Sequence, residues 1–250
     1  MNNEINLAWM YPDILNLHGE RGNSQSFKKV ADELDIKLNI ERIDDIEEQI
    51  DFSHFDILLF NSGELKVMPT ILESLKKQLD ELNRYIKSQK TIIVTGTTGA
   101  LLADNIYRYN GESFSGLKLL NMDIKERTMV IGDDLYYTLE DGAEIMGSQI
   151  QMIDITLKED VKPLGTIKYG YGNNGQADEG AINNNIIFTN CLGPVFVKNP
   201  WFAEKILRIV CKQKGIKISE DIHPNYEIET KSLESTKEFI TRKIVSQKDI

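Results

Sequence analysis

The chain has 250 residues, and 41% of them are hydrophobic, which suffices for one large core or for one core with a small lobe. Its 29 basic and 39 acidic residues give a formal charge of −10, so a nucleic acid or an anionic membrane surface is a poor candidate partner. The sequence has no apolar run near the roughly 20 residues of a membrane-spanning helix and no basic start typical of a signal peptide, so we expect a cytoplasmic protein without membrane insertion.

Strand and helix patterns alternate in the first part of the chain. Short apolar runs predict buried strands, and longer amphipathic stretches predict helices. This alternation favours a mostly parallel central sheet with helices on both faces. The predicted strands cover residues 5–9, 37–43, 55–60 and 91–94, and the predicted helices cover residues 24–34 and 70–86.

After Asp104 the pattern changes to short stretches of alternating polarity, which predict hairpins or an antiparallel extension of the sheet. Pro200 marks the first turn of a helix that runs to about Lys214. We assign residues 1–215 to one domain and residues 216–250 to a partly helical C-terminal extension, in which a charged, solvent-facing helix is expected over 232–245. The predicted strands cover 118–122, 129–131, 135–139, 150–157, 165–170 and 185–189.

The stretch from Thr91 to Leu102 is the most informative one for function. Its apolar strand turns through small residues directly into a predicted helix. Such a turn is where α/β enzymes hold a nucleophile, and Thr95 takes that position. The two cysteines, Cys191 and Cys211, are too few for a disulfide framework and lie in no zinc-binding pattern, so we predict buried thiols, no metal site and no cofactor.

Three segments carry a resemblance to a known family. They are residues 11–23, Gly172-Asn173-Asn174 followed by Glu179-Gly180, and Leu192-Gly193-Pro194 followed by Lys198-Asn199-Pro200. In this order they resemble the GatD family, the glutaminase subunit of lipid II isoglutaminyl synthase, which is related to the glutaminase domains of cobyric acid synthases. The resemblance extends from about residue 5 to residue 215. It implies the flavodoxin-like α/β fold of class I glutamine amidotransferases, with antiparallel strands in the second half.

In that family a cysteine at the strand-to-helix turn attacks glutamine, a histidine acts as its base, and the ammonia passes to a Mur-ligase-like partner. The family's turn typically has the sequence Cys-Gly-Gly-Tyr-Gln, whereas this chain has Thr95-Gly96-Thr97-Thr98-Gly99. The base segment typically has Leu-His-Gly-Pro, whereas this chain has Cys191-Leu192-Gly193-Pro194. The resemblance therefore implies that Thr95 replaces the nucleophile and Leu192 replaces the base.

Two more segments depart from the family pattern. Asn61-Ser62-Gly63-Glu64 stands where the family usually has glycines that supply an oxyanion contact, and Glu64 would oppose a developing negative charge. Residues 147–152 stand where the family usually has Asn-His-Gly-Gly-Arg, so the arginine expected to help hold glutamine is missing. The resemblance thus implies a vestigial pocket, formed by Asn61, Ser62, Gly63, Gly96, Thr97, Gly99, Gln149 and Gln151.

Other residues could still supply the chemistry. An unactivated threonine is almost wholly protonated at neutral pH, but a suitable base would allow Thr95 to act as a nucleophile. Of the three histidines, only His18 is expected near the carboxyl edge of the sheet. Cys191 adjoins the lost base, yet neighbouring residues of a strand point to opposite faces, so if Leu192 faces the site, Cys191 packs away from it.

The loop segments that match the family have two interpretations. Gly and Asn tolerate left-handed conformations and cap turns, so these residues can be structural. Loops also carry function on α/β scaffolds, which makes them candidates for contact with a partner or for pocket architecture. The candidate contact residues are Arg21, Asn23, Tyr171, Asn173 and Asn174.

The sequence thus predicts a glutaminase-like subunit that has lost amide hydrolysis and acts as scaffold or regulator of a Mur-ligase-like or other ATP-dependent amide-forming enzyme. Two alternatives remain open. One is a divergent amidotransferase that still releases ammonia for such a ligase. The other is a sensor that binds a small ligand in the vestigial pocket.

Overall fold

The computed structural model describes residues 4–248, whose strands form two sheets. The first, the central sheet, contains β1 (Glu4–Met10), β2 (Lys37–Ile43), β3 (Ile57–Phe60), β4 (Thr91–Thr95), β11 (Ala181–Asn183) and β12 (Ile186–Thr189). Their order across the sheet is β11-β12-β4-β3-β1-β2. Every neighbouring pair is parallel except β11 with β12, which confirms the predicted mostly parallel sheet.

The α-helices of the described residues are α1 (Arg21–Glu33), α2 (Met68–Lys77), α3 (Leu79–Lys87), α4 (Val195–Lys198), α5 (Pro200–Lys214) and α6 (Glu227–Lys248). The apolar faces of α2 and α3 share one buried cluster with Leu58 and Val94. Those of α1 and α5 share another cluster with Leu59 and Ile93. Because successive strand residues point to opposite faces, the two clusters lie on the two faces of the central sheet. No helix within residues 4–248 is long and apolar enough to cross a membrane.

The second sheet contains β5 (Asn105–Tyr107), β6 (Ser113–Phe114), β7 (Met122–Leu139), β8 (Glu144–Leu157), β9 (Gly165–Tyr169) and β10 (Asp178–Glu179). Strands β7 and β8 form a long antiparallel hairpin, whose register shifts between Glu126 and Ile131. Strand β9 runs antiparallel to the other edge of β7. The predicted antiparallel character of the second half is therefore confirmed.

The predicted continuous helix over 70–86 is wrong, because the chain forms two helices that meet at Gln78. The backbone of Gln78 leaves the helical region, with φ −119° and ψ 21°. Its side-chain oxygen accepts from the backbone N–H of Ile50 at 2.8 Å, and its amide group donates to the carbonyl of Glu48 at 2.9 Å. A long-range side-chain contact thus fixes a break that helical periodicity alone does not reveal.

Other details of the structure also differ from the sequence prediction. The strands predicted separately at 129–131 and 135–139 belong to the single strand β7, and residues 118–121 lie outside any strand. The helix expected directly after β4 is a 3-10 helix at Gly96–Leu101. The predicted C-terminal helix is present and longer than expected, since α6 begins at Glu227.

Helix α6 is attached to the second sheet. Leu233 and Ile240 are buried and form a small cluster with Met146 of β8. Lys237 Nζ lies 3.0 Å from Glu144 Oε2, and this ion pair adds a polar contact to the apolar one. The C-terminal extension therefore packs on the body of the protein through one face of its helix.

Candidate functional site

The candidate site lies at the carboxyl edge of the central sheet, where open α/β sheets bind their ligands. Thr95 ends β4, Asn61 directly follows β3, and Leu192 lies shortly after β12. Strands β3 and β12 both pair with β4 in parallel register, so their ends lie together. All three side chains are buried.

The turn after β4 holds Thr95 in an unstrained conformation. Thr95 has extended backbone angles, φ −117° and ψ 145°, and the left-handed conformation falls on the next residue, Gly96, with φ 58°. A Cβ atom on Gly96 would lie 2.5 Å from Ser62 Oγ and 3.1 Å from Leu192 Cδ2. Glycine is therefore required here, and the side chains of Ser62 and Leu192 pack directly against the turn.

Leu192 and Cys191 occupy opposite environments. Leu192 is joined to Ser148 of β8 by two backbone hydrogen bonds of 3.0 and 2.8 Å, which hold its side chain toward the Gly96 turn. Cys191 belongs to the buried cluster with Tyr137 and Phe196, and burial raises the pKa of its thiol well above the ordinary value. A thiol in this environment is neither a nucleophile nor a base for the site.

Glu20 is the residue of the site that the sequence analysis did not single out. It is fully buried, and its carboxylate accepts hydrogen bonds from Asn23 Nδ2 at 2.6 Å, Gly193 N at 3.0 Å and Thr95 Oγ1 at 3.3 Å. These donors belong to three segments, so Glu20 joins the start of α1 to the ends of β4 and β12. In the sequence, the only indication of a role for Glu20 is its position within residues 11–23, the first segment that resembles the family.

Burial governs the protonation of Glu20. Desolvation raises the pKa of the carboxyl, and the hydrogen bonds from Gly193, Asn23 and Thr95 lower it by a smaller amount, so the pKa stays above the ordinary value of 4.5. A carboxyl with a raised pKa has the acid–base property that a general base requires. No lysine, arginine or histidine is among the groups that shift this pKa.

In the loop after β3, hydrogen bonds within the chain engage the backbone N–H group of Gly63 and the carbonyl group of Asn61. Thr98 Oγ1 donates to the carbonyl of Asn61 at 2.8 Å and accepts from the backbone N–H of Gly63 at 2.9 Å. The N–H group of Gly63 is therefore occupied within the chain, and it is not available to hold an oxyanion. Asn61 Oδ1 in turn accepts from Asn23 Nδ2 at 3.1 Å.

Two buried glutamine side chains of β8, Gln149 and Gln151, bind the loop at residues 171–173. Gln149 Oε1 accepts from Tyr171 N at 2.9 Å, and Gln149 Nε2 donates to the carbonyl of Gly172 at 3.0 Å. Gln151 Nε2 donates to the carbonyl of Asn173 at 3.2 Å. Neutral amides thus stand where the family resemblance implies an arginine, and they fasten the 171–173 loop to β8.

Asn173 belongs to a second buried network, centred on Glu179. Glu179 accepts hydrogen bonds from Thr189 Oγ1 and from the backbone N–H of Asn190, both at 2.7 Å, and from Asn190 Nδ2 at 3.0 Å. Asn173 Oδ1 accepts from the backbone N–H of Gly180 at 2.9 Å and from Asn190 Nδ2 at 3.0 Å. The segments Gly172-Asn173-Asn174 and Glu179-Gly180, which resemble the family, therefore belong to one buried hydrogen-bond network.

The structure corrects two of the candidate contact residues. Asn23 and Asn173 are buried, because their side chains satisfy backbone and side-chain groups of neighbouring segments, so neither can touch a partner directly. Arg21 is exposed, and Tyr171 and Asn174 are half-buried. Of the five candidates, only these three have side chains that solvent reaches appreciably.

The histidines offer no base for Thr95. His54 lies just before β3, at the amino edge of the central sheet, where its Nε2 is 3.8 Å from Glu41. His18 is exposed in the loop before Glu20, and His223 lies in the irregular 216–226 segment. Within the described part of the chain, no group of three or more His, Cys, Asp or Glu side chains is arranged to hold a metal ion.

Comparisons with known proteins agree with this architecture. No family model matches the chain. Two curated relatives are GatD subunits of lipid II isoglutaminyl synthase (glutamine-hydrolyzing). The one from Streptococcus pneumoniae is 25% identical over 228 residues, which are 90% of this chain and 86% of that protein. The one from Staphylococcus aureus is 25% identical over 238 residues, which are 92% of this chain and 94% of that protein.

Solved structures support the same fold. A glutamine amidotransferase crystal structure matches with a TM-score of 0.51 and 16% identity, over 76% of this chain and 93% of that one. A chain of PurLQS from Thermotoga maritima matches with a TM-score of 0.59 and 11% identity, over 82% of this chain and 99% of that one. The protein therefore has the fold of the class I glutamine amidotransferases. Over about nine tenths of its length the chain is similar to these two GatD subunits.

Proposed function

We propose that this chain is a catalytically degenerate GatD-like subunit, which does not hydrolyse glutamine and serves as scaffold or regulator of a Mur-ligase-like, ATP-dependent partner in cell-wall or related amide-forming metabolism. The observation that carries the proposal is the surroundings of Thr95. Its hydroxyl contacts the buried Glu20 carboxylate, and Leu192 packs against the turn that follows Thr95.

Three groups that amide hydrolysis uses in the family are replaced or already bonded within the chain around Thr95. A hydroxyl needs a strong base to become a nucleophile, and Leu192 cannot accept a proton. A tetrahedral intermediate needs free donors, and the N–H group of Gly63 is bonded to Thr98. A glutamine substrate needs groups that hold its charged end, and Gln149 and Gln151 are bonded to the chain itself.

A divergent, active glutaminase is a second candidate, and one observation favours it. Glu20 Oε2 lies 3.3 Å from Thr95 Oγ1, and burial raises the pKa of this carboxyl in the direction that suits a general base. However, the same oxygen makes a shorter contact of 2.6 Å with Asn23, and Thr95 is fully buried. The degenerate subunit is the better explanation, because substrate has no direct access to the hydroxyl.

Retained contact with a ligase explains why a subunit without its chemistry keeps the signature segments. Gly22, in one retained signature segment, packs closely on Pro194 in another, since a Cβ on Gly22 would lie 2.6 Å from Pro194 Cγ. This close approach holds the start of α1 against the segment after β12. We propose Arg21, Tyr171 and Asn174 as the partner-contact surface. Arg21 directly follows Glu20, which contacts Thr95, and the 171–174 loop is bonded to Gln149 and Gln151.

Co-expression with a Mur-ligase-like protein of the same organism tests the partner role. We expect the two chains to elute together in size-exclusion chromatography at micromolar concentration. Arg21→Glu should weaken the complex about tenfold or more, because it reverses an exposed charge within the contact surface. Arg84→Glu is the matched control, since Arg84 is an exposed arginine on α3. Separate elution of the wild-type chains would contradict the partner role.

A further inference from the structure

The carboxylate of Glu20 has the contacts of a bound ligand. Oε1 accepts from the backbone N–H of Gly193 at 3.0 Å, and Oε2 accepts from Asn23 Nδ2 at 2.6 Å and Thr95 Oγ1 at 3.3 Å. Both oxygens are therefore held, and all three donors lie outside the residue itself. We call Asn23, Thr95 and Gly193 the carboxylate cradle.

Contacts other than those with Glu20 hold the cradle in place. Asn23 Oδ1 accepts from the backbone N–H of Phe196 at 3.1 Å, and Asn23 Nδ2 also donates to Asn61 Oδ1 at 3.1 Å. Thr95 is fixed by the register of β4 with β3 and β12. The donors are thus oriented by the fold, and removal of the Glu20 side chain leaves them directed at the same position.

We propose that the former active-site position is a binding site for a small carboxylate, whose ligand in this chain is the Glu20 side chain. Glu20 acts as a tethered ligand that keeps the loop before α1 closed over Thr95. An external carboxylate competes with Glu20 for the same donors. This site belongs to the chain alone and does not depend on a ligase partner.

The chemistry of the cradle selects a carboxylate over a phosphate. Three neutral donors meet the two oxygens. The ammonium group of Lys198 lies 3.8 Å from the position that a Cβ on Gly193 would take, but the exposed Lys198 is not one of these donors. A phosphate brings more oxygens and nearly two charges at neutral pH, and proteins usually hold it with lysine or arginine. A singly charged, planar carboxylate matches the donors that are present.

Chemical rescue tests the proposal. In Glu20→Ala the cradle loses its ligand, and we expect a lower thermal unfolding midpoint than in the wild type. Sodium acetate should then raise the midpoint of Glu20→Ala in a saturable way, relative to sodium chloride at equal ionic strength. The wild type should gain much less from acetate, because its own carboxylate occupies the cradle. Inorganic phosphate should not reproduce the rescue.

A double variant separates the cradle from a general effect of acetate. In Glu20→Ala/Thr95→Val one donor is replaced by a methyl group of similar size, and the apparent affinity for acetate should fall about threefold or more. If acetate shifts the midpoints of the wild type and both variants equally, the proposal is wrong. If Glu20→Ala does not fold on expression, the yield of refolded protein in sodium acetate is compared with the yield in sodium chloride. The proposal predicts a higher yield in acetate, and equal yields would overturn it.

Discussion

Replacement of Glu179 by alanine is expected to lower the free energy of unfolding by about 3 kcal/mol or more. Glu179 accepts from Thr189 Oγ1, from the backbone N–H of Asn190 and from Asn190 Nδ2, and all of these groups are buried. Each buried donor that loses its partner costs about 1–3 kcal/mol. Urea denaturation of both proteins measures the difference.

Two comparisons make this prediction specific. Glu238→Ala removes an exposed glutamate of α6, and its stability should stay within about 0.5 kcal/mol of the wild type. Burial raises the pKa of Glu179 above 4.5, so the part of its contribution that depends on protonation is fully present below pH 4.5 and is lost as the pH rises through the folded-state pKa. The wild type should therefore lose stability relative to Glu179→Gln as the pH rises above 4.5. A Glu179→Ala protein as stable as Glu238→Ala would contradict the role of this network.

Restoration of the two catalytic residues is expected to fail. Thr95→Cys/Leu192→His supplies the nucleophile and the base, yet Glu20 still lies against position 95 and Gly63 N is still bonded to Thr98. Loss of one oxyanion donor alone lowers an enzyme's rate about 100-fold or more. We expect ammonia release from glutamine at least about 100-fold slower than that of an active GatD subunit measured alongside.

The single variant Thr95→Cys serves as the control for the double variant. Both should remain folded, because cysteine is similar in size to threonine and position 192 already accommodates a large side chain. Rapid turnover by the double variant would show that the pocket retains its function. In that case the changes at Asn61–Glu64 and at Gln149 and Gln151 would be neutral for catalysis.

The fold could be predicted from the sequence because its elements have clear periodicity. The apolar run of β3 and the apolar residues 92–94 within β4 indicate parallel strands buried on both faces, and these are the strands that carry the site. The break at Gln78 could not be predicted, because it depends on contacts with Glu48 and Ile50, which are distant in sequence. The local pattern of polar and apolar residues carries no information about contacts between residues distant in sequence.

The site could be predicted only in part. The strand-to-helix turn identifies Thr95, but the contact with Glu20 joins residues 75 positions apart. A loop asparagine has the same sequence signature whether it faces solvent or satisfies internal groups, which explains the errors at Asn23 and Asn173. The closure of the vestigial pocket is therefore a property of tertiary contacts, which the sequence motif does not show.

Ammonia release from glutamine tests the central claim most directly. The assay compares the wild type with Thr95→Ala, each alone and in complex with the Mur-ligase-like partner, so that activation by the partner is included. Our account predicts equal rates at background level in all four samples, since Thr95 is fully buried without access to substrate and Leu192, which replaces the base, cannot accept a proton. Release by the wild type that clearly exceeds that of Thr95→Ala, alone or in the complex, would contradict the account and establish the chain as an active glutaminase.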